Sequence, residues 1–288
     1  MSNQKRDSNV FIPNWVDHWR PGLSANIIID KVGLTINKSA DGNPVHPFIN
    51  SGSARIEGQS LPGDAGAIVS TKNVRPKFLY HEITTTTGAL KSEGLLEALL
   101  AELGRSTART LNKWLVSPTR IVDLNDPEGK FTVEGCVLKD PEEDASHIVK
   151  FAGEVPTFEE IVEMETVVLN ADAYDEHTGM YVLSPLMANK LKTAPRAAGG
   201  EQMILQDGKI NNYPVAVTTD SPEGFLGFGY FSYVALNECG QPDITIDDKT
   251  RATNAEVTFG IGSMYDVTTL KKEAFSIGLT PTGYEEIF

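Results

Sequence analysis

Apolar residues fall into a helical rhythm in two stretches of this chain. From Leu90 to Val116, Leu95, Leu96, Leu99, Leu100, Leu103, Leu111, Trp114 and Leu115 recur at spacings of three and four. That spacing predicts one long amphipathic helix. Glu93, Glu97 and Glu102 come early, and Arg105, Arg109 and Lys113 come late, so the charges complement the helix dipole. Pro118 lies just past the end, where a helix stops. Gly94 and Gly104 each weaken such a helix by roughly 1 kcal/mol, so close packing is the reason to keep them. A second helix is predicted over 158–170, with Thr157 as N-cap and Glu160 completing a capping box.

Elsewhere the period is two. Ala54 to Gln59 alternates, Ser60 to Ser70 is rich in small residues, Gly and Pro, and Val74 to Thr87 is extended. In that last run Phe78, Tyr80 and Ile83 are assigned to one face and Lys77, Leu79 and His81 to the other. Two such runs predict a long hairpin, which is marginal alone in water and needs support. Residues 119–155 read as strand, acidic turn (Asp140 to Asp144), strand. Ile244–Asp247 and Ala255–Tyr265 read as long strands, with Val257, Phe259 and Ile261 alternating. Residues 1–52 look irregular: Trp15, Trp19, Ile27 to Ile29, Leu34 and Ile36 are scattered among Pro13, Pro21, Gly22, Gly33 and Asp41-Gly42. Such a segment makes sense draped over a neighbouring copy. Removing residues 1–30 is then expected to leave folded subunits that assemble poorly. Helices set apart from antiparallel strands give an α+β class.

The chain has 288 residues, a mass of 31.3 kDa and 40% hydrophobic residues, enough for one large core or two modest ones. There is no apolar run of about 18 residues to span a membrane, and the polar start MSNQKRDSNV lacks a signal core. Cys136 and Cys239 form neither a zinc spacing nor a disulfide framework, which fits reduced thiols. The net charge of -14 and the lack of a basic run argue against specific nucleic-acid binding. They are compatible with an acidic wall that repels packed DNA.

No catalytic, cofactor or metal constellation emerges. His81-Glu82 has Thr85 where a zinc protease needs its second His. The histidines are dispersed, no Gly-x-Ser-x-Gly elbow or phosphate loop occurs, and Gly227-Phe228-Gly229 lacks the third glycine of a dinucleotide fingerprint. Asp243, Asp247 and Asp248 lack calcium-loop spacing.

The stretch Met180–Phe231 orders its parts distinctively. Tyr181-Val182-Leu183-Ser184 precedes a short amphipathic helix carrying Leu186, Met187 and Leu191. The small, polar loop TAPRAAGGE (193–201), read as flexible, follows, then Asn212-Tyr213-Pro214-Val215 and Phe228-Gly229-Tyr230-Phe231-Ser232. This order resembles the axial domain of tailed-bacteriophage major capsid proteins of the Hong Kong 97 fold. Asn212 stands where Gly is usual there, and Tyr230 where Asp is usual. Thr157-Phe158-Glu159-Glu160-Ile161 and Ala274-Phe275 resemble further family segments.

The resemblance implies an N-terminal arm (1–52), an extended β-hairpin loop (53–88), a peripheral domain with a spine helix (89–155), an axial domain (156–240) and a return to the peripheral sheet (241–288). It implies pentamers and hexamers that build an icosahedral virion head around double-stranded DNA, assembled in a host cytoplasm. A scaffolding protein and a portal are implied partners, with a decoration protein open, and no membrane or enzymatic role. Only about 50 residues precede the hairpin, so either the chain is already trimmed or scaffolding comes from another protein, and Met1 favours the second. Trp15, Trp19, Arg55, Lys72, Lys77, Phe78 and Tyr80 are the candidate inter-subunit contacts. Pro195, Arg196, Gly199 and Gly200 are the candidate residues near the capsomer axis. Some family members link a Lys of the extended loop to an Asn covalently, and Lys72, Lys77, Asn254 and Glu256 lie in comparable segments without a matching motif. An encapsulin-like compartment shell and a soluble acidic α+β enzyme are the alternatives.

Overall fold

The computed structural model describes residues 15–28, 31–32, 36–39, 45–50, 68–73, 76–92, 94–116, 147–173 and 179–283. It opens with a helix where the sequence pattern predicted irregular chain. Helix α1 (Trp15–Asn26) sets Trp15, Trp19 and Leu23 four residues apart on one face, and all three are buried. Pro21 lies inside this helix, at a cost normally near 3 kcal/mol. Burial of the apolar face against helix α2 (Leu95–Val116) offsets that cost.

The two helices cross with their backbones almost touching. A Cβ on Gly104 would lie 2.2 Å from the Trp19 carbonyl oxygen, and one on Gly22 would lie 2.2 Å from that of Ala101. Gly104 is thus the crossing point. Gly94 falls outside the helix at φ +76°, so α2 starts at Leu95, after a short 3-10 turn over Ala89–Lys91.

This arrangement corrects one expectation. Trp15 and Trp19 are 8% and 0% exposed inside the chain's own core, so neither side chain is free to grip a neighbour. Deleting residues 1–30 would strip Trp15, Trp19, Leu23, Ile27 and Ile28 from that core and destabilise the subunit itself.

A four-stranded sheet runs in the order β1 (Ile36–Ser39), β11 (Val234–Asp247), β12 (Glu256–Thr269), β4 (Lys77–Thr86). Strand β1 is parallel to β11; the other pairs are antiparallel. Strand β4 pairs with β12 from Lys77↔Tyr265 to Thr86↔Glu256. The hairpin seen joins β2 (Val45–Asn50) to β3 (Ile68–Asn73). The predicted strand over 54–59, the strand–turn–strand over 119–146, Arg55 and Cys136 lie outside the described residues.

A seven-stranded sheet runs β5 (Ile148–Lys150), β13 (Phe275–Leu279), β10 (Phe225–Tyr230), β6 (Gly179–Leu183), β9 (Tyr213–Val217), β8 (Lys209–Ile210), β7 (Leu205–Gln206). The last residues therefore do not all return to the first sheet: β13 pairs with β10 and β5 here. All residues of β10 and β13 are buried, as near-central strands require. Helix α3 (Phe158–Asn170) packs on β13, β10 and β5. Its capping box is formed: the Glu160 N–H donates to Thr157 Oγ1 (3.3 Å) and the Thr157 N–H to Glu160 Oε2 (2.7 Å). Helix α4 (Pro185–Thr193) is capped by Ser184 with Pro at its first turn.

Candidate functional site

The strand alternation of β4 gives the four-stranded sheet two unlike faces. Lys77, Leu79, His81, Ile83 and Thr85 lie on the less exposed side. Ile83 therefore belongs with Leu79 and His81, not with Phe78 and Tyr80, because the period of two admits no other grouping. On this inner face α2 lies across the strand, and His81 is hydrogen-bonded to Ser106 Oγ (3.0 Å) and Thr110 Oγ1 (3.4 Å). Burial holds the His81 imidazole below its ordinary range, so it is neutral at pH 7.

The outer face carries Phe78, Tyr80 and Met264, which are 65%, 47% and 41% exposed. Met264 pairs with Phe78 and Gly262 with Tyr80 in the ladder, so these groups are contiguous. The two rings stack at 6.4 Å and 18°. They can lie flat because β12 offers glycines beneath them: a Cβ on Gly262 would strike the Phe78 ring at 2.4 Å, and one on Gly260 the Tyr80 hydroxyl at 2.1 Å. Tyr80 also bonds Thr245 across the sheet (3.2 Å), and Thr84 bonds Thr258 (2.9 Å). The result is an exposed aromatic strip flanked by hydroxyls. Lys77 stands at the end of this strand, and Lys72 lies opposite His46 in the β2–β3 hairpin.

The loop after α4 is a closed turn, where the sequence suggested a flexible one. Pro195 bridges Met203. The Arg196 N–H donates to the Gln202 carbonyl (2.8 Å) and the Gly200 N–H to that of Ala197 (2.9 Å). The Arg196 guanidinium sits 5.0 Å over the Phe158 ring and donates through Nε to the Met203 carbonyl (3.3 Å). Gly199 holds φ +74° at the outer bend, with open space around it. These four candidate residues thus share one loop, away from the Phe78–Tyr80 strip in the topology.

Three buried polar residues lie beyond what the sequence pattern singled out. Glu165, on α3, accepts hydrogen bonds from Tyr181 OH (2.5 Å) and Asn211 Nδ2 (2.7 Å). Burial pushes its carboxyl above the usual range, although these bonds and Arg196 pull the other way. Burial, then the Glu165 charge, push the Tyr181 phenol well up. Each carboxylate oxygen of Glu165 thus holds a hydrogen bond, which makes this a satisfied buried polar contact. Glu238 is buried, receives the Tyr265 hydroxyl (3.3 Å) and faces Arg20 of α1 at 3.6 Å. Asn112 is the third. Its signal was a polar residue on the apolar side of α2, between Ala108 and Leu115.

The two unusual positions of the axial motif also have physical reasons. Asn211 and Asn212 turn β8 into β9 with φ +45° and +70°, and Asn tolerates the left-handed region that Gly otherwise fills. Tyr230 is fully buried, with its ring 5.8 Å from that of Phe228 and its hydroxyl 3.4 Å from that of Tyr213.

No protein-family model and no curated protein matches the sequence. Solved structures do match. A chain from Microbacterium phage Oxtober96 is 11% identical with a TM-score of 0.62, covering 97% of this chain and 96% of that one. The capsid of a native GTA particle is 11% identical with a TM-score of 0.62, covering 97% and 94%. A virus-like particle from Pyrococcus furiosus is 12% identical with a TM-score of 0.59, covering 91% and 97%. The chain has the Hong Kong 97-type capsid fold. At these identities the likeness is one of fold, and it extends over nearly the whole of each chain. The long helix expected over 90–116 is present as α2, and Met180–Phe231 carries α4 and five of the seven strands of the second sheet, β6 to β10.

Proposed function

We propose that this chain is a phage major capsid protein, a shell subunit that assembles with copies of itself into the pentamers and hexamers of an icosahedral head. The observation that carries this reading is the shared capsid fold over 97% of the chain with a structure described as the capsid of a GTA particle. The aromatic strip on the outer sheet face supports it, because a stable monomer gains nothing from holding Phe78 and Tyr80 in water. The β2–β3 hairpin supports it too, since two strands alone need a surface to lie on. In this reading residues 53–88 with the hairpin reach a neighbouring subunit, 89–155 and most of 241–288 form the peripheral domain, and 156–240 form the axial domain. The loop holding Pro195, Arg196, Gly199 and Gly200 faces the capsomer axis. Phe78, Tyr80, Lys77, Lys72 and Arg55 serve contacts between subunits. The interior holds double-stranded DNA without sequence-specific contacts, a scaffold and a portal act during assembly in the host cytoplasm, and the subunit performs no reaction.

Light scattering and negative-stain microscopy of the expressed chain test this. Closed particles or capsomers are expected, and a 31.3 kDa monomer at high concentration would refute it. A compartment shell built on the same fold is the second reading. Packaged protein in place of nucleic acid would favour it.

A further inference from the structure

Asn112 lies on α2, 2% exposed, and joins two segments far from it in sequence. Its Oδ1 accepts the backbone N–H of Ile28, just past α1, at 2.8 Å. Its Nδ2 donates to Asp220 Oδ2 at 2.8 Å. Asp220 ends the turn that leaves β9, where Thr218 Oγ1 donates to the same carboxylate oxygen (3.4 Å) and accepts the Asp220 N–H (3.1 Å). The amide orientation is fixed by chemistry: a backbone N–H requires an oxygen, and a carboxylate requires an N–H donor. Asp at this position would set carboxylate against carboxylate, and Leu would leave both partners without theirs. Only a carboxamide of this length meets both ends.

We infer that Asn112 couples the end of the N-terminal helix to the Thr218–Asp220 turn, so that the two segments hold or release together. A single planar amide in a buried site carries the link. Losing Asp220 removes the carboxylate that anchors the Nδ2 side of the amide, and the hold of its oxygen on the Ile28 N–H weakens with it. The polarisation of the amide by the Asp220 charge strengthens its oxygen as an acceptor in the same direction. The inference concerns one chain and is independent of the shell reading.

Backbone amide exchange in the full-length, unassembled chain tests it. Asp220→Ala touches neither α1 nor Ile28. The expected result is exchange of the Ile28 amide faster by about fivefold, with Tyr181–Leu183 in the seven-stranded sheet unchanged. Asn112→Asp should speed exchange at Ile28 and at residues 218–221 together, and Asp220→Ala serves alone should that variant fail to fold. An unchanged Ile28 amide in Asp220→Ala overturns the coupling. A uniform rise that includes Tyr181–Leu183 also overturns it, since it would reflect general loss of stability.

Discussion

Replacing Gly104 by Ala gives opposite results under two accounts of α2. If Gly104 is only a weak residue in a helix, Ala stabilises by about 1 kcal/mol through propensity. The structure places the Trp19 carbonyl oxygen 2.2 Å and the Leu23 nitrogen 2.8 Å from the new Cβ. Ordinary contact begins near 3.4 Å, so α1 must retreat by about 1 Å. Both obstructing atoms are backbone and cannot turn aside. Overpacking then costs about 3 kcal/mol, the upper part of its usual range, and the net is a loss of about 2 kcal/mol. Urea unfolding of the dissociated subunit, followed by tryptophan fluorescence, measures it, since Trp15, Trp19 and Trp114 all lie in this core. Gly22→Ala should act alike, through the Ala101 carbonyl. The double variant should lose less than the sum, because either change already opens the seam. A higher urea midpoint for Gly104→Ala would refute the close crossing and with it the placement of α1 in the core.

Three other outcomes follow from the same structure. Phe78→Ser with Tyr80→Ser should leave the subunit's melting temperature within about 2 °C yet remove about 2 kcal/mol per subunit contact, and particle yield by sedimentation checks it; normal yield would free these rings from any contact role. Val at Gly199 and Gly200 meets a left-handed φ at the first and the Ala197 carbonyl at 3.2 Å at the second, so capsomers seen by microscopy should close poorly while the monomer stays folded. Glu165 has its carboxyl raised by burial, so its contribution to stability is complete below the usual carboxylate pKa of about 4.3 and declines as pH rises through the folded-state value. Thermal melts of Glu165→Gln should lack that decline, and an identical pH profile for both proteins would show that Glu165 carries no burial penalty.

Periodic apolar pattern and local capping are legible in the sequence alone. The α2 leucines, the Thr157–Glu160 box and the strand of Val257, Phe259 and Ile261 all depend on neighbours within a few residues, and each is formed. Helix α1 is hidden because Pro21-Gly22 reads locally as a turn. Its stability comes from α2, about eighty residues away, which local pattern does not weigh. The same limit hides the pairing of β4 with β12: alternation announces a strand but not which strand it joins, and β12 lies far along the chain. For the candidate site, the exposure of Phe78 and Tyr80 is readable from alternation. The burial of Trp15 and Trp19 is not, since a large apolar residue suits an interface and a core equally.

The buried polar residues are the least legible, and they are also the most specific. Ile28 and Asp220 meet on Asn112, Tyr181 and Asn211 on Glu165, Arg20 and Tyr265 on Glu238. Each of the three draws two distant segments to one atom pair. Apolar packing tolerates many sequences and several registers, whereas an unpaired buried carboxylate or amide costs several kcal/mol. The apolar pattern therefore fixes which elements form, and these three contacts penalise any register but one between them. That division explains how a capsid fold persists at 11% identity. The degenerate part of the code is free to drift, provided polar contacts of this kind hold α1, α2 and the seven-stranded sheet in place.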